Sequence, residues 1–174
     1  MKQKSPFSIG VLRASPLGDL WIAVGEDGLA AIEWAPDEAA FETALMRRFR
    51  RPVRPDPQAV AAALRQLDEY LRGARKAFTL PIDWSLLRPF QRQVLQIVAA
   101  IPYGETRTYG EIARQMGKPR AARAVGRANA TNPMPLVIPC HRVIGSDGKL
   151  HGYGGGEGLP TKEWLLKLER AVMA

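Results

Sequence analysis

The sequence predicts an α/β N-terminal domain over residues 1–87 and a mainly α-helical C-terminal domain over residues 88–174. Short β-prone runs between turn residues open the chain, and helical periodicity prevails after residue 88. The charge also differs between the halves. The first half holds 12 basic and 11 acidic residues, a net charge of +1, whereas the second holds 13 and 6, a net charge of +7. A basic half beside a neutral half indicates an anionic partner, with a merely solvated basic surface as the alternative.

The first three elements are predicted to be the strands of a small antiparallel sheet. The β-prone runs are Phe7–Ala14, Leu20–Val24 and Leu29–Trp34, and turn-rich segments separate them at 15–18 and 26–28. Connections this short favour an antiparallel meander.

Two helices and a fourth strand are predicted to complete the N-terminal domain. The first helix opens at 36–38, with acidic residues in its first turn, and runs to about Arg51. The second starts at Asp56-Pro57 and ends near Arg72-Gly73, where proline and glycine mark its limits. A short strand is expected at Ala77–Leu80, before a linker at 81–87.

The C-terminal half is predicted to be winged-helix-like, with a helix-turn-helix. Pro89–Ala100 has its apolar residues on one helix face. Thr108 and Glu111 have the spacing of a capping box, which begins a short helix that stops at Gly117. Lys118-Pro119 is expected to start the next helix, with proline in its first turn. Two short helices joined through a glycine turn are what a helix-turn-helix requires.

The second helix of this pair carries a row of arginines and otherwise small residues. Arg120, Arg123 and Arg127 stand at i, i+3 and i+7, which places them on one face, among alanine and glycine. A minor groove is about 6 Å wide and an ordinary helix about 10–12 Å across, so a slim helix suits a widened groove. The alternative is a tightly packed helix with solvated arginines, and most charged rows on helices have that origin.

The composition excludes several classes of protein. Cys140 is the only cysteine, so an internal disulfide is excluded, and with two histidines a four-ligand Cys/His zinc site is not expected. No metal and no cofactor are predicted. No apolar run approaches the roughly 18–20 residues of a membrane span. The basic N-terminus has no apolar stretch behind it, so a secretory signal is not expected. The expected location is the reducing cytoplasm, with nucleoid association if the source is bacterial.

The segment Ile138–Gly145 is the predicted chemical centre. Only a few per cent of an ordinary thiol is ionised at pH 7, so Cys140 needs a base to become nucleophilic. His141 is the next residue, but neighbours on a strand point to opposite faces. His141 can help only if the chain turns at Cys140 or if a water bridges the two, and Pro139 is compatible with a turn. The residues leave three chemistries open: a cysteine hydrolase, a redox-sensing thiol on a DNA-binding domain, and an alkyl acceptor.

From Phe90 to about Glu169 the chain resembles the O6-alkylguanine-DNA alkyltransferases, and the Pro-Cys-His-Arg-Val block is highly specific for that family. The likeness within residues 1–87 is limited to a similar α/β plan. The matching segments are Tyr103-Gly104-Glu105 with Tyr109; Ala121–Gly126; Asn132-Pro133; Ile138–Ile144; Gly152-Tyr153 with Gly155-Gly156; and Lys162–Leu166 with Glu169.

The resemblance implies a DNA repair protein that transfers the alkyl group of a flipped guanine to Cys140. His141 would act as the base through a bridging water, Glu169 would hold the imidazole, and Tyr109 would donate to the leaving base. Because no group here would regenerate the thiol, each molecule would act once. The implied partner is double-stranded DNA that contains O6-alkylguanine, with O4-alkylthymine as a second lesion, and the implied state is a monomer.

The resemblance also assigns contacts to DNA and to the base. Arg123 would fill the space that the base vacates, flanked by Arg120 and Arg127 on phosphates. The other implied contacts are Asn132, which braces the loop before the cysteine; Pro135 and Tyr153, which line the pocket; Val143, whose backbone reads the base edge with that of Cys140; and Gly154, which replaces a hydroxyl-bearing residue of some relatives. The loop at 157–161 is about two residues longer than in many relatives, which leaves the accepted alkyl size open.

Two rival functions remain at this level. A non-enzymatic alkyltransferase-like protein binds lesions without transfer, but such relatives lack the acceptor cysteine that this chain keeps. A DNA-binding regulator with a redox cysteine would bind sequence-specifically, without preference for alkylated DNA.

Overall fold

The N-terminal strands form the predicted meander, extended by one strand that the sequence pattern did not indicate. The computed structural model describes residues 5–170, and the chain divides into two units between Leu86 and Leu87. In the first unit the strands are β1 (Phe7–Ser15), β2 (Gly18–Gly25), β3 (Gly28–Glu33) and β4 (Val53–Pro55), in the order β3-β2-β1-β4. β4 is parallel to β1 and the other pairs are antiparallel. A three-residue strand shows no alternation, which explains why β4 was missed.

Two helices pack with this sheet, and both begin where the sequence predicts. α1 (Glu38–Phe49) starts after Asp37, whose side chain accepts from the N–H of Ala40 at 2.8 Å. α2 (Pro57–Leu71) starts after Asp56, which accepts from the N–H of Ala59 at 3.1 Å. An aspartate cap satisfies helix-start N–H groups that lack a partner within the helix. The hydrophobic core of this unit includes Phe7, Ile9, Trp21, Phe41 and Leu45.

The predicted strand at Ala77–Leu80 is wrong. The backbone N–H of Thr79 donates to the side-chain oxygen of Gln66 at 2.9 Å. The side-chain nitrogen of Gln66 donates in turn to the Thr79 hydroxyl at 2.9 Å. Phe78 packs on Tyr70 with ring centroids 5.1 Å apart. These contacts attach the segment to α2 in place of a sheet, and a single bridge from Ile82 to Leu29 follows.

The second unit is mainly helical, as predicted. Its helices are α3 (Pro89–Ala99), α4 (Tyr109–Gln115), α5 (Ala122–Ala130) and α6 (Leu159–Leu168), and two short parallel strands, β5 (Arg107–Thr108) and β6 (Val143–Ile144), pair within it. The capping box at Thr108 is present in both directions. No helix within residues 5–170 has the length and apolar character that crossing a membrane demands.

The start of the second helix in the helix-turn-helix differs from the prediction. α5 begins at Ala122, whereas Lys118–Ala121 forms a turn closed by the N–H of Ala121 on the Lys118 carbonyl at 2.8 Å. Proline suits the second position of such a turn as well as the first turn of a helix, so Pro119 was ambiguous. Arg120 therefore lies before the helix, and the predicted row of three becomes two helical arginines, Arg123 and Arg127.

Candidate active site

The chain turns at Cys140, which was the condition for cooperation between the thiol and His141. Cys140–Arg142 forms a 3₁₀ turn, in which the N–H of Arg142 donates to the Pro139 carbonyl at 2.9 Å. The next residues form β6, where Val143 pairs with Arg107 of β5. Because the turn breaks strand alternation, Cys140 and His141 are both buried in the same unit.

Two asparagine side chains hold the main chain on either side of the cysteine. Asn132 donates to the carbonyl of Ile138 at 2.8 Å and accepts from the N–H of Met134 at 2.9 Å. Asn129, on α5, donates to the carbonyl of Cys140 at 3.1 Å. Asn132 was predicted from the sequence, but Asn129 was not. Its position on the buried face of α5 was the signal that could have identified it.

A buried carboxylate lies behind the turn. Glu169 Oε1 is 2.9 Å from His141 Nε2, and both Glu169 oxygens accept from the Arg142 guanidinium at 2.8 Å. Arg142 also donates to the carbonyl of Ile101 at 2.5 Å, and the N–H of Gly104 donates to Glu169 Oε2 at 3.2 Å. Two parallel N–H···O bonds make the Arg142–Glu169 pair a strong, directional contact. No role other than positive charge was predicted for Arg142 from the sequence.

The surroundings set the protonation states of these groups. Burial alone would raise the pKa of Glu169, but hydrogen bonds from His141 and Arg142 outweigh it and hold the pKa well below its ordinary value. Burial lowers the pKa of His141, with Glu169 opposing, and burial raises the pKa of the Cys140 thiol, with Asn132 and Lys162 opposing. The resting site therefore combines a carboxylate, a neutral imidazole and a protonated thiol, and the thiol proton must leave during the reaction.

Lys162 is a buried ammonium that sequence reasoning left without a role. Its Nζ donates to the carbonyl of Val143 at 2.6 Å and to that of His151 at 3.0 Å. Burial lowers its pKa to about 8, although the Cys140 thiolate opposes this. The signal lay in the helical spacing, because Lys162 precedes the buried Leu165 and Leu166 by three and four residues.

Two tyrosines accompany the cysteine. The Tyr109 hydroxyl donates to the carbonyl of His151 at 3.2 Å, and a Cβ placed on Gly126 of α5 would lie 3.7 Å from the Tyr109 ring. The Tyr153 hydroxyl is buried, and burial and the Cys140 thiolate raise its pKa well above its ordinary value.

The remaining predicted residues divide by exposure. Pro135 and Val143 are buried in the segment that contains Cys140. Gly154 is exposed, and a Cβ there would lie 2.9 Å from the carbonyl oxygen of Ala130, so the loop passes close to the end of α5. The predicted arginine contacts all lie on the surface; they are Arg120, Arg123 and Arg127.

The comparisons with known families match both units. The family model described as "6-O-methylguanine DNA methyltransferase, DNA binding domain" matches residues 89–171. The model described as "6-O-methylguanine DNA methyltransferase, ribonuclease-like domain" matches residues 11–84.

Individual relatives agree with these matches. The methylated-DNA–protein-cysteine methyltransferase of Mycolicibacterium paratuberculosis is 55% identical over 117 residues, which cover 66% of this chain and 68% of the relative. The protein of the same name from Methanosarcina barkeri is 44% identical over 163 residues, which cover 89% and 92%. Among solved structures, Mycobacterium tuberculosis OGT in complex with DNA superposes with a TM-score of 0.77 at 41% identity, covering 94% of this chain and 92% of that one.

Proposed function

The chain belongs to the 6-O-methylguanine DNA methyltransferase family, and from this premise we propose that Cys140 is the residue that accepts the alkyl group. The function is DNA repair, in which an alkyl group moves irreversibly from DNA to the protein's own cysteine. The alternative of lesion binding without transfer is not favoured, because the only cysteine of the chain stands inside the matched motif. The proposed substrate is O6-alkylguanine in double-stranded DNA.

The observation that carries the proposal is the buried His141–Glu169 pair that directly follows the Cys140 turn. His141 Nε2 lies 2.9 Å from a Glu169 oxygen, so the carboxylate fixes the ring and stabilises the imidazolium that forms when His141 takes a proton. The proposed route for that proton, from the thiol, is one bridging water. Arg142 holds Glu169 as a carboxylate, so the proton rests on the imidazole rather than on Glu169.

The proposed transfer is an in-line displacement at the alkyl carbon. The Cys140 sulfur forms a bond to that carbon while the bond from carbon to guanine O6 breaks, and its electron pair leaves with the base. The guanine anion then takes up one proton, equal to the one lost by the thiol. A hydrogen bond from Tyr109 to the leaving base stabilises the developing charge. The product thioether is stable, so each molecule reacts once.

The base must leave the stack before the sulfur can line up behind the alkyl carbon, at a cost of about a few kcal/mol. We assign that step to α5, where Arg123 fills the vacated space while Arg120 and Arg127 bind phosphates. The slim α5, with alanine and glycine between its arginines, suits close approach to the minor groove.

The finer assignments complete the proposal. The backbone of Val143 reads the base edge, Pro135 and Tyr153 line the pocket, and Asn132 braces the loop before Cys140. Some relatives contact the base through a hydroxyl at the position of Gly154, and here the backbone makes that contact.

Residues 1–87 act as a structural domain and 88–174 bind DNA and transfer the alkyl group. The protein acts as a monomer in the cytoplasm, and O4-alkylthymine is a second candidate lesion.

Intact-mass spectrometry tests the proposed acceptor. After mixing with duplex DNA containing one O6-methylguanine, the protein is expected to gain one methyl group in place of one proton, located on the peptide that contains Cys140. Cys140→Ala is expected to gain nothing while binding the duplex almost as tightly as the wild type. An unchanged wild-type mass despite tight binding would refute transfer, and a modified Cys140→Ala protein would refute the assigned acceptor.

Arg123→Ala is expected to slow transfer from duplex DNA by about tenfold to a hundredfold, since extrusion costs about a few kcal/mol. Transfer from the free base O6-benzylguanine, which needs no extrusion, is expected to change little. Single-turnover rates on both substrates give the comparison, with Arg114→Ala on the exposed surface of α4 as the control. Equal losses on both substrates would show that Arg123 does not serve extrusion.

A further inference from the structure

Asn129 is a buried polar residue on the inner face of α5. It is 4% exposed, whereas Arg123 and Arg127 on the same helix are exposed. Its neighbours on the inner face are Val125 and Ala128, which need no polar partner. A carboxamide among apolar groups loses its water and must recover that loss through hydrogen bonds.

The hydrogen bonds of Asn129 point to the reacting segment. Its Nδ2 donates to the carbonyl of Cys140 at 3.1 Å, across 11 residues of sequence. Its Oδ1 is buried and has no hydrogen-bond partner among residues 5–170. A leucine has a similar shape and would pack equally well without placing an unpaired oxygen such as Asn129 Oδ1 in the interior. Packing alone therefore does not account for an asparagine here.

The Tyr109 side chain packs on the same face of α5, and its hydroxyl donates to the carbonyl of His151 at 3.2 Å. The Tyr109 ring packs over Gly126, which stands one helical turn before Asn129 on the same face of α5. Burial and the Cys140 thiolate raise the pKa of Tyr109, and hydrogen bonding by Asn129 opposes them. Asn129 therefore donates to the main chain of the nucleophile and lies one helical turn from Gly126, on which the ring of Tyr109 packs.

We propose that Asn129 is a positioning residue for alkyl transfer. It fixes the positions of Cys140 and of the Tyr109 side chain relative to α5, the helix that binds DNA. The inference rests on the proposed function, and it adds a residue that acts through Cys140 and Tyr109 rather than on the substrate.

The physical reason is the sensitivity of displacement reactions to alignment. The arginines of α5 fix that helix on the DNA, and the Asn129–Cys140 hydrogen bond transmits its position to the sulfur. A misplacement of about 1 Å between reacting atoms costs about a hundredfold in rate. A loosened Cys140 turn should therefore slow transfer even where the fold and DNA affinity are unchanged.

Asn129→Leu and Asn129→Asp test the proposal, with Gln91→Leu as the matched control. Gln91, on α3, also donates through its amide to the end of α5. Its partners are the carbonyl and hydroxyl of Thr131 and the carbonyl of Ala128 rather than Cys140. Single-turnover rates on O6-methylguanine duplex and on free O6-benzylguanine are measured between pH 6 and 9.5, with melting temperatures and duplex affinities alongside.

Asn129→Leu is expected to stay folded and to keep the wild-type duplex affinity, with a lower melting temperature because the buried Cys140 carbonyl loses its donor. It is expected to slow transfer on both substrates by about tenfold to a hundredfold. Asn129→Asp places a carboxylate near the thiol, so its rate profile is expected to move to higher pH as well. Gln91→Leu is expected to react at the wild-type rate. Wild-type rates in Asn129→Leu, or a loss shared equally by Gln91→Leu, would overturn the inference and leave the proposed function standing. A wild-type protein that transfers nothing would overturn both.

Discussion

Glu169→Gln is expected to abolish transfer and to lower the free energy of unfolding by about 3–5 kcal/mol, the usual cost of removing one partner from a buried ion pair. The glutamine keeps the size of the side chain but loses the negative charge. It leaves the Arg142 guanidinium, which is 6% exposed, without a carboxylate, and it cannot stabilise a protonated His141. Chemical denaturation and single-turnover transfer measure the two effects. The control is Glu163→Gln on the same helix, whose exposed pair with Lys167 should contribute little.

The acid limb of the stability profile gives a second readout for Glu169. Its pKa in the folded protein lies below the ordinary value of 4.5, so the folded state binds fewer protons than the unfolded state. The stability it contributes is complete above about pH 4.5 and is lost as the pH falls from there toward the folded pKa. Glu169→Gln should lack this acid-dependent component. Replacing both partners, as Arg142→Met with Glu169→Leu, is expected to restore stability but not transfer. A stable Glu169→Gln with normal transfer would contradict the role assigned to the carboxylate.

The fold was predictable where a local signal was strong. Acidic residues in the first turn placed α1, and proline and glycine at its limits placed α2, both within about two residues. The capping box at Thr108 placed α4. The two errors arose where tertiary contacts override local preference. The side chain of Gln66 takes the N–H of Thr79 that a strand would have used, and Pro119 enters a turn rather than a helix.

Residue type and chemistry indicated Cys140 and His141 as the candidate site, whereas Glu169 came only from the family resemblance. The structure places a Glu169 oxygen 2.9 Å from His141 Nε2. Arg142, Lys162 and Asn129 were missed because helical spacing can indicate that a position is buried but not which polar group a buried side chain will meet. Arginine and lysine are rarely buried, and their burial here depends on carbonyl and carboxylate groups that lie 11–41 residues away. Only the fold brings those acceptors within hydrogen-bond distance.

Lys162→Met is expected to slow transfer at pH 7 by about tenfold, because the pKa of the Cys140 thiol rises when the ammonium is removed. The Lys162 ammonium lowers the pKa of that thiol, and without it less thiolate forms at a given pH. Because the pKa of Lys162 is about 8, the wild type loses this charge at higher pH. The ratio of wild-type to Lys162→Met rates should therefore be largest below about pH 8 and narrow above it.

Two further variants separate charge from hydrogen bonding at this position. Lys162→Gln keeps a donor for the carbonyls of Val143 and His151 but not the charge, so its rate profile should follow that of Lys162→Met. Lys167→Met removes an exposed lysine of α6 and should match the wild type.

The pH dependence of stability gives an independent test of the lowered pKa of Lys162. The folded pKa of about 8 lies below the ordinary 10.5, so the unfolded state binds more protons between these values. The wild type should gain stability relative to Lys162→Met as the pH rises from about 8 to 10.5. A rate ratio that stays constant with pH would show that Lys162 acts through its hydrogen bonds rather than through its charge.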